Sequence, residues 1–155
     1  WHIDQNSSHR NELTSVQGML ALSKSNATQL LEGSHKYFQS LSYRNTNNNP
    51  YEWEYYEISD NDFIWKKGLK IVTPQLNAGD LLIFDSRLVH RVINTDKRSI
   101  AYISMVPRSF LSNLTERLRK KAYKRNNTTT HWCEKIIITG RDSPINDNLV
   151  YNELI

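Results

Sequence analysis

His2 and Asp4 stand two residues apart, and on an extended chain that spacing has a chemical meaning. Successive side chains of a strand point to opposite faces, so residues i and i+2 share one. An imidazole and a carboxylate placed that way offer two ligand atoms to a single metal ion. A third ligand must come from elsewhere in the chain, and His90 is the best candidate. It follows a glycine turn and an apolar run, Gly79 to Val89, which is a sensible route back to the same site. Two imidazoles and one carboxylate on one face of an octahedron leave three positions open, the donor set diagnostic of non-haem Fe(II) oxygenases. Those positions admit a bidentate 2-oxo acid and then dioxygen. The far carboxylate of such an acid needs a cation, and arginine suits it because its planar fork makes two parallel hydrogen bonds. Arg98 opens a segment in which alternation puts Arg98, Ile100, Tyr102 and Ser104 on one face, so Tyr102 or Ser104 could add a hydroxyl to the same carboxylate. Gln17, on the run that follows the His-x-Asp pair, is a candidate to hydrogen-bond the oxo acid or the substrate.

These residues need a rigid frame, and the pattern of the chain predicts one made of strands. Residues 16–23 are a short apolar run that reads as a buried strand. Leu30 to Lys36 looks like a turn closing on a short segment, and 42–50 is a loop by composition. The aromatic and acidic stretch 51–65 fits a helix or an insertion equally well. Further on, 70–74 reads as a strand stopped by Pro74, Asn77–Asp80 as a turn, Leu81–Phe84 as a buried strand, Leu88–Ile93 as another and Asn94–Lys97 as a hairpin turn. Residues 98–106 form a further strand ended by Pro107. Over 109–125 the recurrence of Leu111, Leu114 and Leu118 predicts a helix with one apolar stripe, and 135–139 is a last strand candidate. The sum is a β-rich domain, with a sandwich or barrel as its natural architecture.

The chain has 155 residues, enough for one core but hardly two. No apolar run approaches the roughly 20 residues that span a bilayer, and no signal peptide is visible. One cysteine, Cys133, excludes an internal disulfide and reads as an inert thiol, so a cytoplasmic setting is favoured over a disulfide-stapled secreted one. Net charge is +4, concentrated in Arg117, Arg119, Lys120, Lys121, Lys124 and Arg125. That run reads as the solvated face of a helix rather than a nucleic-acid site. The first residue is Trp1 rather than Met, which suggests a fragment or a processed product.

Trp1-His2-Ile3-Asp4-Gln5, Gly33-Ser34-His35-Lys36, the block from Gly79 to His90, and Arg98 together resemble the phytanoyl-CoA dioxygenase family, a branch of the Fe(II)/2-oxoglutarate-dependent dioxygenases. The resemblance covers residues 1 to about 108. It implies an all-β core of the double-stranded β-helix type (jelly-roll, cupin-like) with peripheral helices, lacking at its N-terminus the helices and first strand that precede the motif in such proteins. The expected domain is a single one over 1–155, with core motifs in 1–108 and a helix and C-terminal extension in 109–155. The resemblance also implies Fe(II), 2-oxoglutarate as co-substrate, dioxygen, release of succinate and CO2, and hydroxylation of a small-molecule substrate. By the match His2, Asp4 and His90 take the iron and Arg98 the co-substrate. Two departures stand out: Glu32 occupies the place of the proline that usually precedes the Gly-Ser-His turn, and the step from His90 to Arg98 is short.

Other residues carry plainer readings. His35 holds its turn, and Arg87 and Arg91 are solvated surface that could meet a substrate acid. The aromatics of 51–65 pack locally or form a lid. Three rival functions keep most of these observations: a truncated or inactive relative serving as a binding module, a cupin-type metalloenzyme that uses no oxo acid, and a basic nucleic-acid-binding protein.

Overall fold

The structure is a computed structural model of the chain, and it describes residues 1–5, 12–43, 56–93, 98–125, 127–129 and 138–142. The chain divides into two compact units, Trp1–Pro107 and Arg108–Ile155. The first contains β1 (His2–Ile3), β2 (Val16–Ala21), β3 (Thr28–Leu31), α1 (Phe38–Tyr43), β4 (Tyr56–Glu57), β5 (Ile71–Val72), β6 (Leu81–Asp85), β7 (His90–Val92) and β8 (Ile100–Met105). The second contains α2 (Asn113–Lys124), β9 (Asn127–Thr129) and β10 (Ile138–Asp142). The described chain is mostly strand with few helices, as the composition of its apolar runs predicts. No described helix is long and apolar enough to cross a membrane.

In the first unit the strands form two antiparallel sheets. One has the order β4-β1-β7-β3-β5 and the other β6-β2-β8. In the larger sheet His2 lies opposite His90, and His90 lies opposite Leu30. Alternation therefore puts His2, Leu30 and His90 on one face and Ile3, Leu31 and Val89 on the other. The second face is the apolar core: Ile3, Leu31 and Val89 cluster with Phe38, Leu41, Ile58 and Ile64, with Trp1, Tyr37, Phe63, Trp65 and Leu69 packed against them. Burying each such aliphatic or aromatic side chain stabilises the fold by about 1.5–3 kcal/mol. The first face turns towards β2 and β6. The Thr28 hydroxyl donates to the Met19 sulfur at 3.6 Å, and the rings of Phe84 and His90 lie 4.9 Å apart.

Several expectations meet the structure differently. Leu81–Phe84 is a strand but not a buried one: Leu81 is 47% and Ile83 53% exposed. Only alternate residues of β6 face the other sheet, and a continuous apolar run conceals that distinction. Leu30–Lys36 is resolved into the end of β3, a 3-10 turn over Ser34–Tyr37 and then α1, a helix the sequence reading did not anticipate. Within 51–65, the described part holds β4 and the start of a 3-10 turn at Phe63–Lys67, capped by the Asp62 carboxylate accepting from the Ile64 amide at 3.0 Å. The helix expected over 109–125 is α2, entered through Ser112, whose hydroxyl accepts from the Thr115 amide at 3.0 Å. Its buried side is set by Thr115 and Ala122 rather than the leucine stripe, and Leu114 is 59% exposed. The turn at 94–97 and the start of the 135–139 strand lie outside the described residues.

Candidate metal centre

β1 carries His2 into the larger sheet and releases Asp4 just past its end, on the same side as alternation requires. β7 is the neighbouring strand, and its first residue is His90. Residues distant in the chain thus become cross-strand neighbours. The Nε2 atom of His2 lies 3.5 Å from Asp4 Oδ1, and Nε2 of His90 lies 3.2 Å from Asp4 Oδ2. One ligand atom from each of the three falls within 4.8 Å of the others. The two imidazole rings are 4.2 Å apart and tilted by 57°. His90 is 6% exposed, and His2 and Asp4 are half-buried at the rim.

The tautomer of His90 follows from its partner. Nδ1 is 2.9 Å from the Leu88 carbonyl oxygen, which can only accept. Nδ1 therefore carries a proton, and Nε2 is the ring atom that faces the Asp4 carboxylate. A backbone carbonyl behind a ligating imidazole is the usual way a metal site fixes ring orientation. The donor set is thus chemically suited to a divalent transition metal of the Fe(II) kind.

What holds the ligands is a set of buried polar contacts. The Ser34 hydroxyl, fully buried, accepts from the Val89 amide at 2.9 Å, one residue before His90. Gly33, at φ 79°, makes the left-handed step that turns the chain into that position. This gives the Gly33-Ser34 pair a structural role beside His35, which lies in the same turn. Nothing in the sequence context of Gln5 marks a role for it. Its side chain joins three segments: the amide donates to the Glu12 carbonyl at 2.7 Å, and its oxygen accepts from the Thr14 amide at 3.2 Å and from the Ser86 hydroxyl at 2.6 Å. Asp4 is thereby anchored from the residue that follows it.

The co-substrate candidates separate. Gln17 Nε2 donates to Asp4 Oδ2 at 3.0 Å, so Gln17 meets a proposed ligand directly. Ser104 lies opposite Gln17 on β8, and its hydroxyl is 3.0 Å from that of Ser15. Arg98 lies at the other end of the same segment, six residues or roughly 20 Å of extended chain away. Ser104 and Arg98 are therefore not brought together, and Tyr102 between them is exposed. Arg98 buries its Nη1 atom with no hydrogen-bond partner among the described residues. A buried guanidinium nitrogen of this kind is suited to an anionic guest, because leaving a charged donor unsatisfied is costly.

The two arginines that flank the His90 segment, Arg87 and Arg91, are engaged. Arg87 pairs with Asp85 at 2.6 Å. Burial works to raise the Asp85 pKa, but the hydrogen bonds and charge of Arg87 outweigh it and hold the carboxyl below its ordinary value of 3.8. Arg91 points to the face opposite His90, stacked 4.5 Å over the Trp1 ring and donating to Gln29 Oε1 at 2.8 Å.

Comparison with known proteins agrees with this picture at the level of family. No curated protein and no solved structure matches the chain. The family profile described as phytanoyl-CoA dioxygenase (PhyH) matches residues 1–93, more than half of the sequence and the part that contains His2, Asp4, Gln17 and His90. The chain belongs to the phytanoyl-CoA dioxygenase family.

Proposed function

We propose that this chain is an Fe(II)- and 2-oxoglutarate-dependent oxygenase that hydroxylates a small-molecule substrate and releases succinate and CO2. The single observation that carries the reading is the convergence of His2, Asp4 and His90, with one ligand atom of each within 4.8 Å of the others. Membership of the family adds the expectation of this chemistry. On this reading the two facing sheets are the halves of a double-stranded β-helix, in one domain over 1–155 whose core is 1–108 and whose extension is 109–155.

His2, Asp4 and His90 would hold the iron. Iron bound there supplies the redox chemistry that couples oxidation of the oxo acid to oxidation of substrate. The chain itself does the rest. Leu88 keeps the His90 proton on Nδ1, so that Nε2 stays available. Phe84, against the His90 ring, keeps water from that side of the ligand. Arg98, whose buried Nη1 has no hydrogen-bond partner among the described residues, would receive the far carboxylate of 2-oxoglutarate.

Anaerobic titration with Fe(II) and 2-oxoglutarate tests the proposal. A weak visible charge-transfer band is expected for the wild-type chain and is lost in His90→Ala. Its persistence in His90→Ala overturns the ligand assignment. If the wild-type chain binds both but releases no succinate in air with candidate substrates absent or present, the binding-module reading replaces this one.

A further inference from the structure

The smaller sheet contributes none of the three ligands, yet one row of it is directed at them. β2 is its central strand, in register with β6 on one side and β8 on the other. Gln17 sits in that strand with Phe84 opposite it on β6 and Ser104 opposite it on β8. Directly opposed residues of an antiparallel pair share a face, so Phe84, Gln17 and Ser104 form a row across the sheet. Phe84 packs on the His90 ring at 4.9 Å, and Gln17 donates to Asp4 Oδ2 at 3.0 Å. Gln17 is itself 6% exposed and is fixed at the backbone by ladders on both sides, so its amide is a rigid donor.

A carboxylate can bind a metal through one oxygen or through both. The second mode takes an extra coordination position. A facial triad has three to give, and a chelating oxo acid together with dioxygen uses all of them. A hydrogen bond to one carboxylate oxygen favours the first mode, because that oxygen is already engaged. Outer partners of this sort commonly matter by 10–100-fold in metal affinity or activity.

We propose that Gln17 is a positioning residue of the metal centre: its amide holds one oxygen of Asp4, so that the carboxylate meets the metal through the other and three positions stay open. The inference rests on the function proposed above and assigns Gln17 to the ligand rather than to the oxo acid. Its consequence is selective. Gln17 governs how well 2-oxoglutarate chelates, beyond any effect on how well iron is held.

The test uses the full 155-residue chain with Fe(II) under anaerobic conditions. Gln17→Met keeps the length of the side chain and removes the donor. Gln17→Glu keeps its shape and replaces the donor with a second carboxylate. Met19→Leu, on the same face of β2, is the control for disturbance of the strand. At saturating Fe(II), both Gln17 variants are expected to bind 2-oxoglutarate at least 10-fold more weakly, with the charge-transfer band displaced or lost, and Met19→Leu is expected to match wild type. Metal-free unfolding midpoints of Gln17→Met and Met19→Leu should be similar. The proposal is overturned if either Gln17 variant binds 2-oxoglutarate within about twofold of wild type with an unchanged band. It is also overturned if Met19→Leu is impaired as much as Gln17→Met, since the effect would then belong to the strand. Absence of the band in wild type removes the oxygenase reading and this inference with it. A normal wild-type band with normal Gln17 variants removes the inference alone.

Discussion

On the proposed function Arg98 and the three proposed ligands have separate tasks, and single substitutions should tell them apart. Arg98 is not one of the three proposed ligands, and it offers a buried guanidinium nitrogen with no hydrogen-bond partner among the described residues. Arg98→Leu is therefore expected to raise the Kd for 2-oxoglutarate at least 10-fold and to leave the Fe(II) Kd within about threefold. Equal loss of both in calorimetric titrations would mean that Arg98 supports the fold rather than the co-substrate. His90→Ala should do the reverse and abolish metal binding first. That His2 and Asp4 share a face was legible because His-x-Asp needs only the two-residue period of a strand. The contact of Gln17 with Asp4 and the contacts of Gln5 were not. A glutamine carries no spacing signal, and its partner depends on which distant segment folds beside it.

At the scale of elements, the approach of β7 to β1 depends on the turn that precedes α1. Ser34 satisfies the Val89 amide, and removing its hydroxyl leaves a buried N–H without an acceptor. That should cost about 1–3 kcal/mol. Ser34→Ala is expected to lower the chemical-denaturation midpoint accordingly and to weaken metal binding. An unchanged midpoint would mean that another group accepts from Val89. Gly33 tests the same turn in another way. No atom crowds a Cβ placed there, so Gly33→Ala suffers only from φ +79°, about 1–2 kcal/mol. The pattern of β2, β6, β7 and β8 was readable from apolar runs and turn residues. The exposure of Leu81 and Ile83 was not, because a run of four apolar residues does not say which face meets another sheet.

The whole molecule should report the metal and the pH through its stability. A ligand bound only by the folded chain adds about 2.7 kcal/mol at 100 times its Kd. Saturating Fe(II) under anaerobic conditions should raise the thermal midpoint of wild type, and chelation should reverse the shift. No shift in wild type, or an equal shift in His90→Ala, would place the metal elsewhere. The Asp85–Arg87 pair gives the pH dependence. The folded-state pKa of Asp85 is lowered, so the pair's contribution is complete above the ordinary value of 3.8 and is lost as pH falls through the lowered one. Asp85→Asn should remove that part of the acid sensitivity. Between about pH 5 and pH 3 the variant should lose less stability than wild type. Parallel acid profiles would show the pair to be energetically silent, as half-exposed ion pairs often are.

The sequence alone determined the local matters: which runs form strands, where the glycine turns fall, and that an imidazole and a carboxylate share a face at one strand end. These depend on a period of two residues and on backbone freedom at single positions. Tertiary structure decided that β7 lies beside β1, which brings His90 to Asp4. It also decided that β2 turns Gln17 onto the same carboxylate, that Ser104 stays with Ser15, and that Thr115 and Ala122 rather than Leu114 are buried in α2. Each of these is a choice among faces and neighbours, settled by how the Ile3, Leu31 and Val89 core closes, and no local pattern encodes it.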